Sequence, residues 1–165
     1  MKAGDIVLVD TTLIIEAHNT DCLAALAKSF RLETVETCIR ETQDGSLSRA
    51  ADQIINELKL RAELNAVHAV TDAERAAVAA IGGPILDDGE RDLWAHALAR
   101  KDAWILSGPD KASMRFGYRA NLRSRLVTLE TMLSTIGHTP KVEIRDHYRQ
   151  AWLDGVMRDC VLGLL

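Results

Sequence analysis

Aromatic residues make up only 4% of this 165-residue chain, so any core must be assembled from Ala, Leu, Ile and Val. Cysteine is nearly absent as well. Cys22, Cys38 and Cys160 are odd in number, far apart and without Cys-x-x-Cys spacing, which excludes a disulfide framework and a thiolate zinc site. No apolar run approaches the length that crosses a bilayer, and the first one is interrupted by Asp10, too early for a secretory leader. There is no excess of positive charge: the net charge is -4 and the pI is near 5.7. A globally electrostatic attraction to nucleic acid is thereby excluded, and any polyanion contact must be local. What remains, 47% hydrophobic and 27% charged residues, suits one soluble cytoplasmic domain with a sizeable core and reduced thiols.

Short apolar runs alternate with longer helical patterns. Residues 6–9 (IVLV), 30–35 (FRLETV), 66–70 (AVHAV), 103–107 (AWILS) and 125–129 (RLVTL) read as five strands. Thr11 to Ala27 reads as helical with a break near Asn19-Thr20-Asp21, and another helix begins near Thr37. A turn at 43–46 leads to a long amphipathic helix from Ser48 to Leu64, with Ala51, Ile54, Ile55, Leu58 and Ala62 on one face. Thr71 and Glu74 have capping-box spacing and open an Ala-rich helix to Ile81, ended by Gly82-Gly83-Pro84. Residues 87–101 and 109–119 are helical, a short helix runs to Ile136, and Lys141 to Leu165 has helical spacing at Ile144, Tyr148, Trp152 and Val156. This alternation predicts a three-layer α/β/α domain whose central sheet has about five parallel strands, with a core over about 5–136 and a helical extension over 141–165.

Parallel sheets bind ligands beyond the carboxyl ends of their strands. Asp10 follows the first strand and Asp110 follows AWILS. Glu41 lies about a turn into the helix after FRLETV, and Glu90 opens the helix before AWILS. Four carboxylates therefore converge on one sheet edge, a donor set suited to Mg²⁺ or Mn²⁺. Each acid also has a plainer reading by itself. Asp10 could cap a helix, Glu41 could be solvated, and Glu90 and Asp110 could favour positive helix ends. Asp92 is a substitute ligand, while Asp87 and Asp88 read as helix caps. His68 and His96 read as packed or half-exposed histidines, and the cysteines as buried apolar residues. Lys111, Arg115, Arg119 and Arg123 recur every four residues, either as a solvated stripe or as a contact for RNA phosphates beside Tyr118 and Phe116.

These segments carry a family resemblance. VLVDTTLIIEA resembles the opening of a PIN domain, where a strand runs into an aspartate followed by Thr or Ser. VETCIRE, ending in Glu41, is similar to that family's helix with the second acid. LDDGERDLWAHALARKDAWILSGPD resembles the third and fourth segments, in the branch that uses Gly-Glu. Pro109, Trp94 and His96 depart from the pattern. The resemblance covers residues 5 to 130 and implies a metal-dependent endoribonuclease acting on RNA. Asp10, Glu90 and Asp110 would bind the metal, and Glu41 would bind metal or orient water. Thr12 and Ser107 would hold the carboxylates by hydrogen bonds. Many bacterial members are toxins with an antitoxin protein as partner, and such nucleases commonly form homodimers, a role for which the apolar C-terminal segment is a candidate surface. A catalytically degenerate PIN domain acting as a scaffold is the alternative. A haloacid-dehalogenase-like phosphatase would want an acid where Thr12 stands, and a receiver domain would want an acidic pair and a later Lys.

Overall fold

Val7, Leu8 and Val9 have no solvent exposure at all, because helices cover both faces of the strand they form. The computed structural model describes residues 1–43, 55–82 and 85–165. Its sheet contains β1 (Ile6–Val9), β2 (Arg31–Val35), β3 (Ala66–His68), β4 (Ile105–Ser107) and β5 (Leu126–Val127). All four pairings are parallel, and the order is β3-β2-β1-β4-β5. The fold is the expected three-layer α/β/α sandwich on a five-stranded parallel sheet. The chain winds outward from β1 in one direction through β2 and β3, then returns to β4 on the other side of β1. That reversal makes the carboxyl ends of β1 and β4 the topological switch point, where adjacent connections diverge and leave a crevice.

Among the described residues nine α-helices surround the sheet: α1 (Thr11–Asn19), α2 (Leu23–Ser29), α3 (Glu36–Gln43), α4 (Glu57–Glu63), α5 (Asp72–Ile81), α6 (Asp88–Ala99), α7 (Lys111–Arg119), α8 (Leu129–Thr135) and α9 (Gln150–Val161). One core layer joins Val7, Val9, Leu13, Ile14, Leu26, Leu60 and Leu129. The opposite layer joins Leu8, Leu93, Trp94, Leu106, Phe116 and Val156. Helix α3 packs on both α1 and α6 and so bridges the layers at the carboxyl edge of the sheet.

The break read at Asn19-Thr20-Asp21 is a left-handed stop. Asp21 has φ 58°, and the N–H groups of Asp21 and Cys22 donate to the carbonyls of His18 and Ala17. Asn121, at φ 59°, ends α7 in the same way. Three expectations change. The helix read from Ser48 does not extend unbroken to Leu64: α4 starts at Glu57, with Asn56 as its cap accepting from the Lys59 N–H. The rest of that segment, 44–54, and Gly83-Pro84 lie outside the described residues. Leu58 is 80% exposed, and Ile55, Leu60 and Leu64 carry the buried face instead. The C-terminal segment is not one helix either. Residues 141–149 are irregular apart from one 3-10 turn at Asp146–Tyr148, and only Gln150–Val161 is α-helical.

That segment buries its apolar side chains on its own domain. Ile144 and Tyr148 join the first core layer, and Leu153, Val156 and Cys160 join the second. Covering this face does not require a second copy; Val142, Val161, Leu162 and Leu164 are its exposed apolar residues. No helix among the described residues is long and apolar enough to cross a membrane.

Candidate metal centre at the switch point

Three helices begin at the switch point, and each is capped by an aspartate. Asp10 caps α1, accepting from the Leu13 N–H at 2.7 Å and from the Thr12 hydroxyl at 2.9 Å. Asp110 caps α7, accepting from the Ala112 and Ser113 amides at 2.6 and 3.3 Å. Asp87 caps α6 in a capping box with Glu90, whose carboxylate reaches back to the Asp87 N–H. The plain reading of these residues as caps and the functional one are therefore not alternatives. Capping fixes each carboxylate at a helix start, and the topology brings the three starts together.

Asp10, Thr11, Thr12, Glu41, Asp87, Glu90 and Asp110 line one cavity of about 130 Å³. The structure thus brings together all four acids singled out in the sequence and adds Asp87 and Thr11. The Thr11 hydroxyl donates to Glu41, which also accepts a backbone hydrogen bond from Gly89 at the start of α6. No Lys or Arg lines the cavity among the described residues.

The electrostatics follow from that composition. Burial pushes the Asp10 carboxyl up to about 7, opposed by the Leu13 and Thr12 hydrogen bonds and reinforced by the charges of Asp87 and Asp110. Glu90 is pushed up to about 9 by burial, then by the Asp110 and Asp87 charges, and by a hydrogen bond shared with Asp110. Glu41 is also raised, chiefly by burial. Carboxylate oxygens are the donor type that a hard divalent cation takes, but the trio whose ligand atoms lie within 4.8 Å of one another among the described residues is Glu33, His68 and His96, not these acids.

Two glycines permit the close approach. A Cβ on Gly108 would lie 2.6 Å from Asp10 Oδ2, and one on Gly89 would lie 2.9 Å from the Glu41 carboxylate carbon. Gly108→Ala should therefore displace Asp10. The expected result is a stability loss of about 1–3 kcal/mol in urea unfolding, together with weaker Mn²⁺ binding by calorimetry. Ser107 acts through its backbone, its carbonyl accepting from the Asp10 N–H at 3.3 Å. Its buried hydroxyl has no partner among the described residues. Behind the acids, the Trp94 indole N–H donates to the Ser113 hydroxyl at 2.9 Å, tying α6 to α7.

Other residues read from the sequence lie elsewhere. Asp92 is not a spare ligand: its two oxygens accept from Arg75 Nε and Nη2 at 2.7 and 2.9 Å, and Thr37 donates to it at 2.6 Å. It points to α5 and α3 because Arg75 outcompetes the cavity for its charge, which also lowers its pKa. Phe116 cannot stack on a nucleobase, being 1% exposed and packed against Trp94. The basic stripe is shorter than its spacing suggests. Lys111, Arg115 and Arg119 lie on α7, whereas Arg123 falls in a separate 3-10 turn beyond the left-handed Asn121. No carboxylate pairs with these four cations among the described residues.

A second cluster went unread in the sequence. Glu33, His68 and His96 offer ligand atoms within 4.8 Å of one another, and the two imidazoles stack at 4.0 Å. Arg100 Nη1 donates to Glu33 at 2.5 Å and lies 3.0 Å from His96 Nε2. A guanidinium thus already supplies the cation there, and Asn65, His68 and Arg31 also reach Glu33. Spacing could not reveal it, since its members come from β2, β3 and α6. Comparison of the chain with protein-family models, with curated proteins and with solved structures finds no match.

Proposed function

We propose that the chain is a metal-dependent endoribonuclease that hydrolyses RNA phosphodiester bonds at the switch-point carboxylates. The observation that supports this most is the cavity itself: five carboxylates, two threonine hydroxyls and no basic side chain among its described lining residues. Such a cavity is electrostatically unfavourable alone and favourable around a divalent cation. Asp10, Glu90 and Asp110 are the residues that would hold Mg²⁺ or Mn²⁺. The ion, when bound, would lower the pKa of a coordinated water and neutralise charge on the phosphate. Thr12 and the Leu13 amide keep Asp10 oriented, and Glu90, pushed up by burial, has to lose its own proton before it can act as an anionic ligand. Glu41, aimed by Thr11 and Gly89, is placed to accept a proton from an attacking water.

The likeness of VLVDTTLIIEA, VETCIRE and the 86–110 segment to PIN domains supports the same reading, including an antitoxin protein and a second copy of this chain as partners. The test is cleavage of a labelled single-stranded RNA in Mg²⁺ or Mn²⁺, with and without EDTA. Activity that persists in EDTA would refute the proposal, and calorimetry showing no metal binding would leave a scaffold function instead.

Lys111, Arg115 and Arg119, on the helix that Asp110 caps, supply local positive charge in an acidic chain. Replacing Lys111 and Arg119 by Gln should weaken RNA binding. The slope of log affinity against log salt should also fall by about 0.7 for each single-strand phosphate that is no longer neutralised. An unchanged slope would make the stripe a solvated face.

A further inference from the structure

The carboxylate cavity, at about 130 Å³, has room for roughly four water volumes. That suffices for an ion, its waters and phosphate oxygens, but the rest of a nucleotide must rest on a neighbouring surface. One such surface is contiguous with it. A groove of about 380 Å³ shares Thr12 and Asp110 with the cavity and is otherwise built from Ile15, Pro109 and the tail residues Arg145, His147 and Tyr148.

The chemistry of this groove is that of a flat, partly polar ligand. Ile15 and Pro109 give apolar surface. Tyr148 is buried, and its hydroxyl, which donates to the Thr12 carbonyl at 3.0 Å, fastens the tail to the start of α1. His147 is half-buried and leans on Tyr148 at 4.6 Å between ring centroids, the two rings tilted by 39°. Arg145 is anchored through Nε and Nη2 on the buried Glu16, while its Nη1 has no partner among the described residues. Both anchors are made without a ligand, so the groove walls are preorganised. An aromatic ring, a guanidinium plane and aliphatic contacts beside a phosphate site form a stacking platform for a base of a single strand.

We propose that this groove is a nucleobase subsite, seating the RNA nucleotide next to the phosphate held at the carboxylates, with His147 as its stacking surface. It rests on the ribonuclease reading for the neighbouring phosphate alone; the base contact needs no catalysis. The test uses the full-length protein in EDTA, with uridine and adenosine 5′-monophosphates titrated and followed by NMR of the backbone amide signals, which wild type and variants share. Anisotropy of a labelled single-stranded RNA tetranucleotide is measured in the same buffer. His147→Ala should weaken both about five- to hundredfold, the range of a base–aromatic stack. His147→Phe should restore most of the affinity, and Mg²⁺ calorimetry should be unchanged in both variants. Nucleotide binding in His147→Ala equal to wild type would overturn the subsite, as would inorganic phosphate competing as well as the nucleotides. A protein that binds nucleotides through His147 but neither binds Mg²⁺ nor cleaves RNA would uphold the subsite while refuting the ribonuclease.

Discussion

Asp10→Asn should reduce metal-dependent RNA cleavage on the order of a thousandfold or more while leaving the fold intact. The two halves of that expectation have different physical sources. Asparagine is isosteric, is among the best helix N-caps, and its amide oxygen can still accept from the Leu13 N–H, so α1 should start where it does now. What is lost is a unit of negative charge at the residue just beyond the central strand. Asp10 lies at the topological reversal between β1 and β4 and is 6% exposed, so bulk water cannot substitute for it as a ligand. Glu41→Gln should have a smaller effect, because Glu41 is partly exposed and solvent can replace it in handling a proton. Single-turnover cleavage of a labelled RNA in Mn²⁺, alongside circular dichroism, measures both. A variant that keeps more than a tenth of wild-type activity would remove Asp10 from the chemistry.

Without metal, the same substitution should make the protein more stable, and increasingly so as the pH rises. Asp10 in the folded chain holds its proton up to about pH 7 and Glu90 up to about pH 9, whereas in the unfolded chain both ionise near pH 4. Between those limits the folded state binds more protons than the unfolded state, so stability declines as pH increases. The contribution is fully present below pH 4, lost for Asp10 by about pH 7 and for Glu90 by about pH 9. At about 1.4 kcal/mol per pKa unit the Asp10 part amounts to roughly 2–4 kcal/mol at pH 8. In EDTA at that pH, Asp10→Asn should melt about 5–10 °C higher than wild type. Adding Mn²⁺ should raise the wild-type melting temperature and leave the variant nearly unchanged, through binding to the folded state. Thermal scans at pH 5 and pH 8, with and without Mn²⁺, test the pattern. A metal-free variant less stable than wild type at pH 8 would mean that the carboxylate cluster is not under electrostatic strain.

Much of the sheet was readable because its signals are local. IVLV is an uninterrupted β-branched and aliphatic run, as a strand buried on both faces requires, and a charged residue directly after it must lie at the sheet edge. Asp10 and Asp110 were legible on that ground, and Glu41 and Glu90 from their distance to a strand end. The failures came where a long-range partner decided the outcome. Nothing near Asp92 announces Arg75, seventeen residues earlier, which claims its carboxylate. Phe116 has helical spacing beside basic residues, yet Trp94 and the second core layer draw it inward. Ile144 and Tyr148 match a helical period with Trp152 by coincidence, since contacts to Glu16 and Thr12 hold that stretch irregular. Thr11 escaped notice because its role depends on Glu41, thirty residues later.

The hydrogen bond from Trp94 to Ser113 gives the molecule an optical gauge of its own centre. Glu90 and Trp94 are one turn apart on α6, and Ser113 lies in the first turn of α7 behind Asp110, so the indole spans the joint between the two helices that deliver Glu90 and Asp110. Any change in the separation of those helices stretches or relaxes a contact to a chromophore with no exposure to solvent. With Trp104 and Trp152 replaced by Phe, its emission would report the geometry of the joint from inside the core, with no label attached and no side chain of the cavity altered.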